Sequence, residues 1–232
     1  MKSKKSVFLS FIKFIDTQYL SKRNDIKKWS SEEKKLYKIK IAKENNKRIL
    51  LFSIFLFIFE IINILFNLIT MEHGKFIGYY IISAAVLIFV ALIYILISAL
   101  ILTDKITNIR VQNFTYKSFM LAFSFGMFAF CILDLFESGD ISNFIFLMCS
   151  LAIIPILSAP EIITIVAFDV LFFIVINFIF DLRPSAISKI FFTGMATIIA
   201  STFFKLVYLE SYISKRSLKF LSKTDPLTGL YN

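Results

Sequence analysis

Apolar residues run through this chain in six long stretches, near residues 49–70, 76–102, 119–136, 141–159, 162–180 and 190–209, separated by short polar joins. Each is long enough to cross a hydrocarbon core about 30 Å thick at helical rise. The pattern therefore predicts an all-α fold, a six-helix transmembrane bundle. The second stretch has length to spare for tilting or for extending past the bilayer. The fourth and fifth are divided only by Pro160 and Glu161, so the pair reads either as two spans or as one long or re-entrant unit, with Pro155 expected to kink the fourth. Ahead of the first span, Ser6, Ser10, Lys13, Thr17 and Ser21 recur at steps of three and four, with apolar residues filling the rest of each turn. That spacing predicts an N-terminal amphipathic helix lying in the membrane interface. Lys13 and Asp16 interrupt its apolar run and no small-x-small cleavage site follows, which argues against a signal peptide. Trp29 suits an interfacial aromatic. Ser30 and Glu33 form an S-x-x-E capping box, and the Lys-rich run to Arg48 continues as helix to the bilayer. The chain thus divides into a basic amphipathic segment over 1–48, a transmembrane domain over 49–209, a C-terminal stalk helix over 210–224 and a separate motif over 225–232.

Composition agrees with a membrane protein: hydrophobic residues make up 58% of the chain and the mean hydropathy is +0.78, more apolar surface than a soluble core buries. The net charge of +10 lies entirely in residues 1–48, which hold 15 Lys or Arg against 5 Asp or Glu. A basic segment beside a span points to anionic lipid head groups and control of topology, not to nucleic acid. The join 103–118 carries Lys105, Arg110 and Lys117, and the C-terminal segment carries Lys215, Arg216, Lys219 and Lys223, whereas the opposite joins are poorer in cations. With an even number of spans, both termini are expected on the cytoplasmic side. Cys131 and Cys149 fall in apolar runs, where they serve as small hydrophobes. The single His73 excludes a haem held by two histidines of one chain. Walker A, H-E-x-x-H, G-x-S-x-G and paired-Cys metal motifs are all missing from the sequence, so no catalytic, cofactor-binding or metal-binding residue is assigned within these 232 residues.

Five polar residues inside the spans are candidates for an intramembrane or sensory site. Glu60 stands near the middle of the first span, with Asn63 and Asn67 on the same helical face; Asp169 stands near the middle of the fifth, with Asn177 on a similar face. Charged groups at bilayer depth need a partner, a water-filled cavity or a neutralising proton. Two acids at similar depth could share a proton or hold a cation or polar ligand between helices. The alternative is a structural network that fixes helix packing. At the outer ends, Glu72, Asp134, Glu137, Asp140 and Asp181 accompany His73, Lys75, Arg183 and Lys189, either as a shallow vestibule or as helix caps and loop solvation.

Beyond the sixth span, Phe204, Val207, Ser211, Ser214, Leu218 and Leu221 follow a three-four spacing. This makes one helical seam with apolar ends and a polar middle, suited either to a parallel two-stranded stalk or to a helix along the membrane surface. Asp225 and Pro226 should end it, Asp as a cap and Pro as the start of a new helix. The closing TDPLTGLYN, Thr224 to Asn232, resembles the opening signature of GGDEF domains, D-x-L-T-G-L-x-N-R-R: Asp225, Leu227, Thr228, Gly229, Leu230 and Asn232 match, and the two arginines would follow Asn232. The resemblance covers these residues alone. It implies the N-terminal sensor region of a membrane-anchored diguanylate cyclase in a bacterial inner membrane, truncated at the start of its catalytic domain. Such enzymes resemble nucleotidyl cyclases in fold and condense two GTP into cyclic di-GMP with Mg²⁺ or Mn²⁺, acting as dimers. The stalk helix is accordingly expected to pair two copies. The family's loop and metal acids lie downstream of the signature, so the matched residues carry structural roles here, and no sensory ligand is specified. Two other expectations stay open: a receptor with a degenerate GGDEF domain or one serving a phosphodiesterase, and a small transporter or channel using Glu60 and Asp169.

Overall fold

The computed structural model describes residues 29–70, 76–137, 141–180 and 184–221, and these form six helices with no strand. The interfacial helix expected over 6–21 and the motif 225–232 lie outside the described residues. So do Glu72, His73, Lys75, Asp140, Asp181 and Arg183, and the side chains of Asp134 and Glu137. The helices are α1 (Ser31–Thr70), α2 (Ile77–Leu102), α3 (Ile109–Glu137), α4 (Ser142–Ile153), α5 (Ala159–Ile179) and α6 (Pro184–Leu221). All but α4 are long and apolar enough to cross a membrane.

α1 begins at the capping box: the Ser30 N–H donates to Glu33 Oε2 at 2.7 Å and the Glu33 N–H donates to Ser30 Oγ at 3.1 Å. It then runs for 40 residues, about 60 Å, so residues 31–48 of the basic segment and the first span are one rod. Its buried stripe is Ala42, Asn45, Ile49, Ser53, Leu56 and Glu60, a three-four spacing that keeps one face on a neighbouring helix. The neighbour is α2, whose Ala84, Leu87, Ala91 and Ser98 are buried. Small residues on both sides let the backbones approach closely, the usual source of helix association where lipid competes equally for apolar side chains. The opposite faces carry Leu51, Phe55, Phe66, Phe89 and Leu96, all about half exposed or more, as expected of surfaces that meet hydrocarbon.

α3 is the central element. Of its apolar window 61% is buried, against 22–28% for the other four long helices, and it packs on α1, α2 and α4. Phe119 and Phe123 stack within it, ring centroids 6.0 Å apart, and Phe52 of α1 meets both edge-on. A second aromatic group joins Phe128 of α3, Phe144 of α4 and Phe173 of α5. α6 packs against α4 and α5, and Gly194 makes a close approach to α5: a Cβ there would stand 2.6 Å from Val170 Cγ2 and 3.3 Å from Val166 Cγ1. Valine side chains are stiff at χ1, so Gly194→Ala is expected to destabilise the bundle by about 1–3 kcal/mol, read as a lower thermal midpoint in detergent. Gly78→Ala, with nothing within 4 Å of its Cβ, should leave the midpoint unchanged or slightly raised.

Several expected boundaries are corrected. The fourth span is not one helix over 141–159: α4 has 12 residues, about 18 Å, too short by itself for the hydrocarbon core, and residues 154–157 carry the chain on to the basic end, where Ile156 meets Asn45 of α1. Pro155 ends the helix instead of kinking it: Ile154 still has helical dihedrals and donates to the Ser150 oxygen, and Pro155 has no N–H with which to continue the ladder. Residues 154–157 continue as a buried, non-helical stretch. The break falls before Pro160 and Glu161, which belong to the first turn of α5 behind the Ser158 cap. α3 starts at Ile109, ten residues ahead of the expected third span, with the Arg110 N–H held by Asn108 Oδ1 at 2.9 Å. α6 starts at Pro184, not Ile190, and the stalk is its uninterrupted continuation to Leu221.

Candidate functional site

A cleft of about 500 Å³ opens among α1, α2, α3 and α4, at the end of the bundle away from the basic segment. Glu60, Asn63 and Asn67 line it from α1, Tyr80 from α2, Phe130 from α3 and Asn143 from α4. Glu60 ends the buried stripe of α1 and is only 3% exposed. The two asparagines follow at i+3 and i+7, so the helical repeat carries them on along the same wall.

Their hydrogen bonds run in one direction. Asn67 Nδ2 donates to the Asn63 backbone oxygen at 2.9 Å and to Asn63 Oδ1 at 3.1 Å. A backbone carbonyl can only accept, which fixes which end of the Asn67 amide is nitrogen. Asn63 Oδ1 is therefore the acceptor, and its Nδ2 donates onward to Glu60 Oε2 at 3.3 Å. The relay terminates on the carboxyl group as acceptor.

The other two candidates are placed elsewhere. Asp169 and Asn177 share the buried stripe of α5 with Ile162, Val166 and Phe173, and neither lines the cleft. Asp169 is fully buried; its Oδ2 accepts from Ser124 Oγ of α3 at 3.2 Å and its Oδ1 has no hydrogen-bond partner. Asp169 thus joins α5 to α3, while Glu60 lies within the cleft.

At the opposite end, the interruption between α4 and α5 is held by side chains of α1. Asn45 reads both sides of one residue: the Ile156 N–H donates to Asn45 Oδ1 at 2.8 Å and Asn45 Nδ2 donates to the Ile156 oxygen at 3.4 Å. Arg48 donates to the Ile153 oxygen at 3.1 Å, an α4 carbonyl left open by the helix end. Asn46 donates to the Gln112 oxygen in the first turn of α3 at 3.1 Å, and Gln112 Nε2 in turn meets the Ile106 oxygen of the join between α2 and α3 at 2.9 Å. Glu161 closes the start of α5, accepting from the Ser158 N–H at 2.8 Å and pairing with Lys117 Nζ of α3 at 2.5 Å. Irregular backbone inside a membrane bundle is tolerated only when its polar groups are met in this way.

No family model, curated protein or solved structure matches this chain.

The same basic end carries an aromatic strap between α1 and the far part of α6. Trp29, Tyr37 and Tyr212 form a triangle with ring centroids 5.3, 5.9 and 4.9 Å apart. Lys40 Nζ lies 4.7 Å over the Tyr212 ring, and the Arg216 guanidinium lies 5.6 Å over Trp29 while pairing with Glu33. The Ser30 N–H, and then Arg216, hold the Glu33 carboxyl below the usual range. Its contribution is therefore full above the ordinary glutamate value and is lost as pH falls through the lowered one.

Asn45 and Asn46 stand in the Lys-rich run where charge hides their role in the sequence, and the partners of Trp29, Tyr37 and Tyr212, are not marked there either. A signal for the first pair was available: two adjacent poor helix formers one turn before the bilayer. Ser158, Ala159, Pro160 and Glu161 likewise spell a capping box with proline in the first turn, which marks the start of α5.

Proposed function

We propose that this chain is the membrane sensor and transmitter region of a bacterial diguanylate cyclase, with the cleft as input and α6 as output. The observation that carries the reading is the continuity of α6: 38 residues without a break, about 57 Å, reaching to within four residues of Asp225. Its inner part is tied to α4, whose Asn143 and Phe146 line the cleft, by the Thr197 hydroxyl donating to the Met148 oxygen at 3.4 Å. An occupant that moves α4 therefore acts on α6 through packed contacts. Along the outer part of α6, Phe204, Val207, Ser211, Ser214 and Leu218 are all exposed, open to the same seam of a second copy. In this reading both termini are cytoplasmic, the basic segment meets anionic lipid, and GTP with Mg²⁺ or Mn²⁺ is used by the domain that the signature opens.

The test uses the full encoded protein in liposomes with GTP and Mg²⁺. Formation of cyclic di-GMP by a dimer, with reporter fusions placing both termini in the cytoplasm, is the expected result. A GG(D/E)EF segment eroded beyond function, or normal synthesis by a strict monomer, would sink the reading.

The interrupted α4 favours one other reading, a small transporter, since discontinuous helices commonly line substrate paths. Here, however, side chains of α1 occupy the peptide groups at the break. Flux through liposomes that Glu60→Gln abolishes is what that reading requires.

A further inference from the structure

We infer that the cleft binds a small organic cation, an ammonium group carried on an apolar or aromatic body. The inference rests on the cleft as the input site proposed above and adds the chemical class of its occupant.

The donors and acceptors of the cleft decide the charge. Asn67 and Asn63 spend amide protons on the relay that ends at Glu60, so α1 presents the cleft with an acceptor and with a carboxyl group whose natural complement is a cation. Among the described residues no Lys, Arg or His forms an ion pair with Glu60. A carboxylate in so enclosed a position is costly without a counter-charge, and a bound ammonium supplies both the charge and the donors.

The walls decide the rest of the molecule. Phe59 and Phe146 stack across the cleft with centroids 6.3 Å apart, and Tyr80 lies 5.9 Å from Phe130. Aromatic faces attract organic cations and cover apolar carbon. A bare metal ion is the poorer fit to this donor set: a hard cation takes six or more oxygens, and among the described residues no group of three or more His, Cys, Asp or Glu gathers anywhere. A volume of about 500 Å³ lies in the range of small-molecule sites.

The 232-residue chain, purified into nanodiscs, is titrated by calorimetry with phenethylammonium, with neutral 2-phenylethanol and with anionic phenylacetate. The ammonium should bind saturably and at least tenfold tighter than either analogue. Glu60→Gln, nearly isosteric, should remove that tenfold preference while 2-phenylethanol binds as before. Because Glu60→Gln could disturb folding, competition on the unaltered chain gives a second reading: tetramethylammonium should displace phenethylammonium, and sodium or calcium at equal ionic strength should not. Equal binding of all three phenyl compounds, an unchanged preference in folded Glu60→Gln, or displacement by the inorganic cations would each overturn the inference. Binding is read without cyclic di-GMP. Ammonium binding with no effect on product formation by the full protein would therefore uphold the ligand class and overturn the sensor reading, while regulated synthesis with no ammonium binding would do the reverse.

Discussion

Asn45→Leu is expected to destabilise the bundle by about 3 kcal/mol or more, because it leaves both polar groups of Ile156 without a partner. Each buried backbone group that loses its hydrogen bond costs about 1–3 kcal/mol. Ile156 and its neighbours Ile154 and Leu157 are buried, so little water is at hand to replace Asn45. Leucine keeps the branching of asparagine but is the larger side chain, so at this fully buried position overpacking adds to the loss of the hydrogen bonds. Asn45→Asp should fall between: a carboxylate still accepts from the Ile156 N–H but cannot donate to the Ile156 oxygen. Thermal or SDS-driven unfolding followed by circular dichroism reads the order wild type, Asp, Leu. If Leu matched wild type, the stretch 154–157 would have to be satisfied by something other than α1.

The second large effect is expected from Ser211→Pro. Ser211 is exposed on α6, so its side chain contributes little, and the substitution acts on the backbone. It removes the hydrogen bond from residue 211 to Val207 and sets the proline ring against that carbonyl, a cost of about 3 kcal/mol or more in a helix interior. The kink falls between Leu209, which is buried, and Tyr212, which holds the strap. Trp29 is the single tryptophan of the chain, and its contacts with Tyr37 and Tyr212 make its fluorescence a direct report on the strap. Ser211→Pro should shift Trp29 emission to the red and raise acrylamide quenching, while the transmembrane helix signal stays near wild type. Under the sensor role proposed above, it should also uncouple the output of the full protein from what occupies the cleft. Unchanged Trp29 emission would show that α6 beyond Leu209 does not depend on its backbone continuity to meet α1.

The helices themselves were legible in the chain, and the reason is local. Apolar length sets which segments can cross a membrane. The Ser30 and Glu33 capping box is contained in four consecutive residues, and the shared faces of Glu60, Asn63 and Asn67, or of Asp169 and Asn177, follow from the helical repeat alone. The fourth span differs from its hydropathy for a physical reason as well. Hydropathy counts apolar side chains and is blind to the backbone, so Ile154, Pro155, Ile156 and Leu157 read as span although Pro155 ends the helix among them.

By itself the sequence determined the all-helical class, the long apolar helices, the start of α1 and the faces on which the intramembrane polar residues stand, since each depends on neighbours within a turn or two. Only the tertiary structure decided what those faces meet. It set Glu60 in an aromatic cleft with Tyr80 and Asn143, sent Asp169 to Ser124, gave the broken backbone at Ile156 to Asn45, and laid Tyr212 on Trp29. Each of these pairs joins residues far apart in the chain, as does the pairing of Glu33 with Arg216, 183 positions apart. Which helix stands beside which is settled by the packing of whole faces, and no local period encodes it.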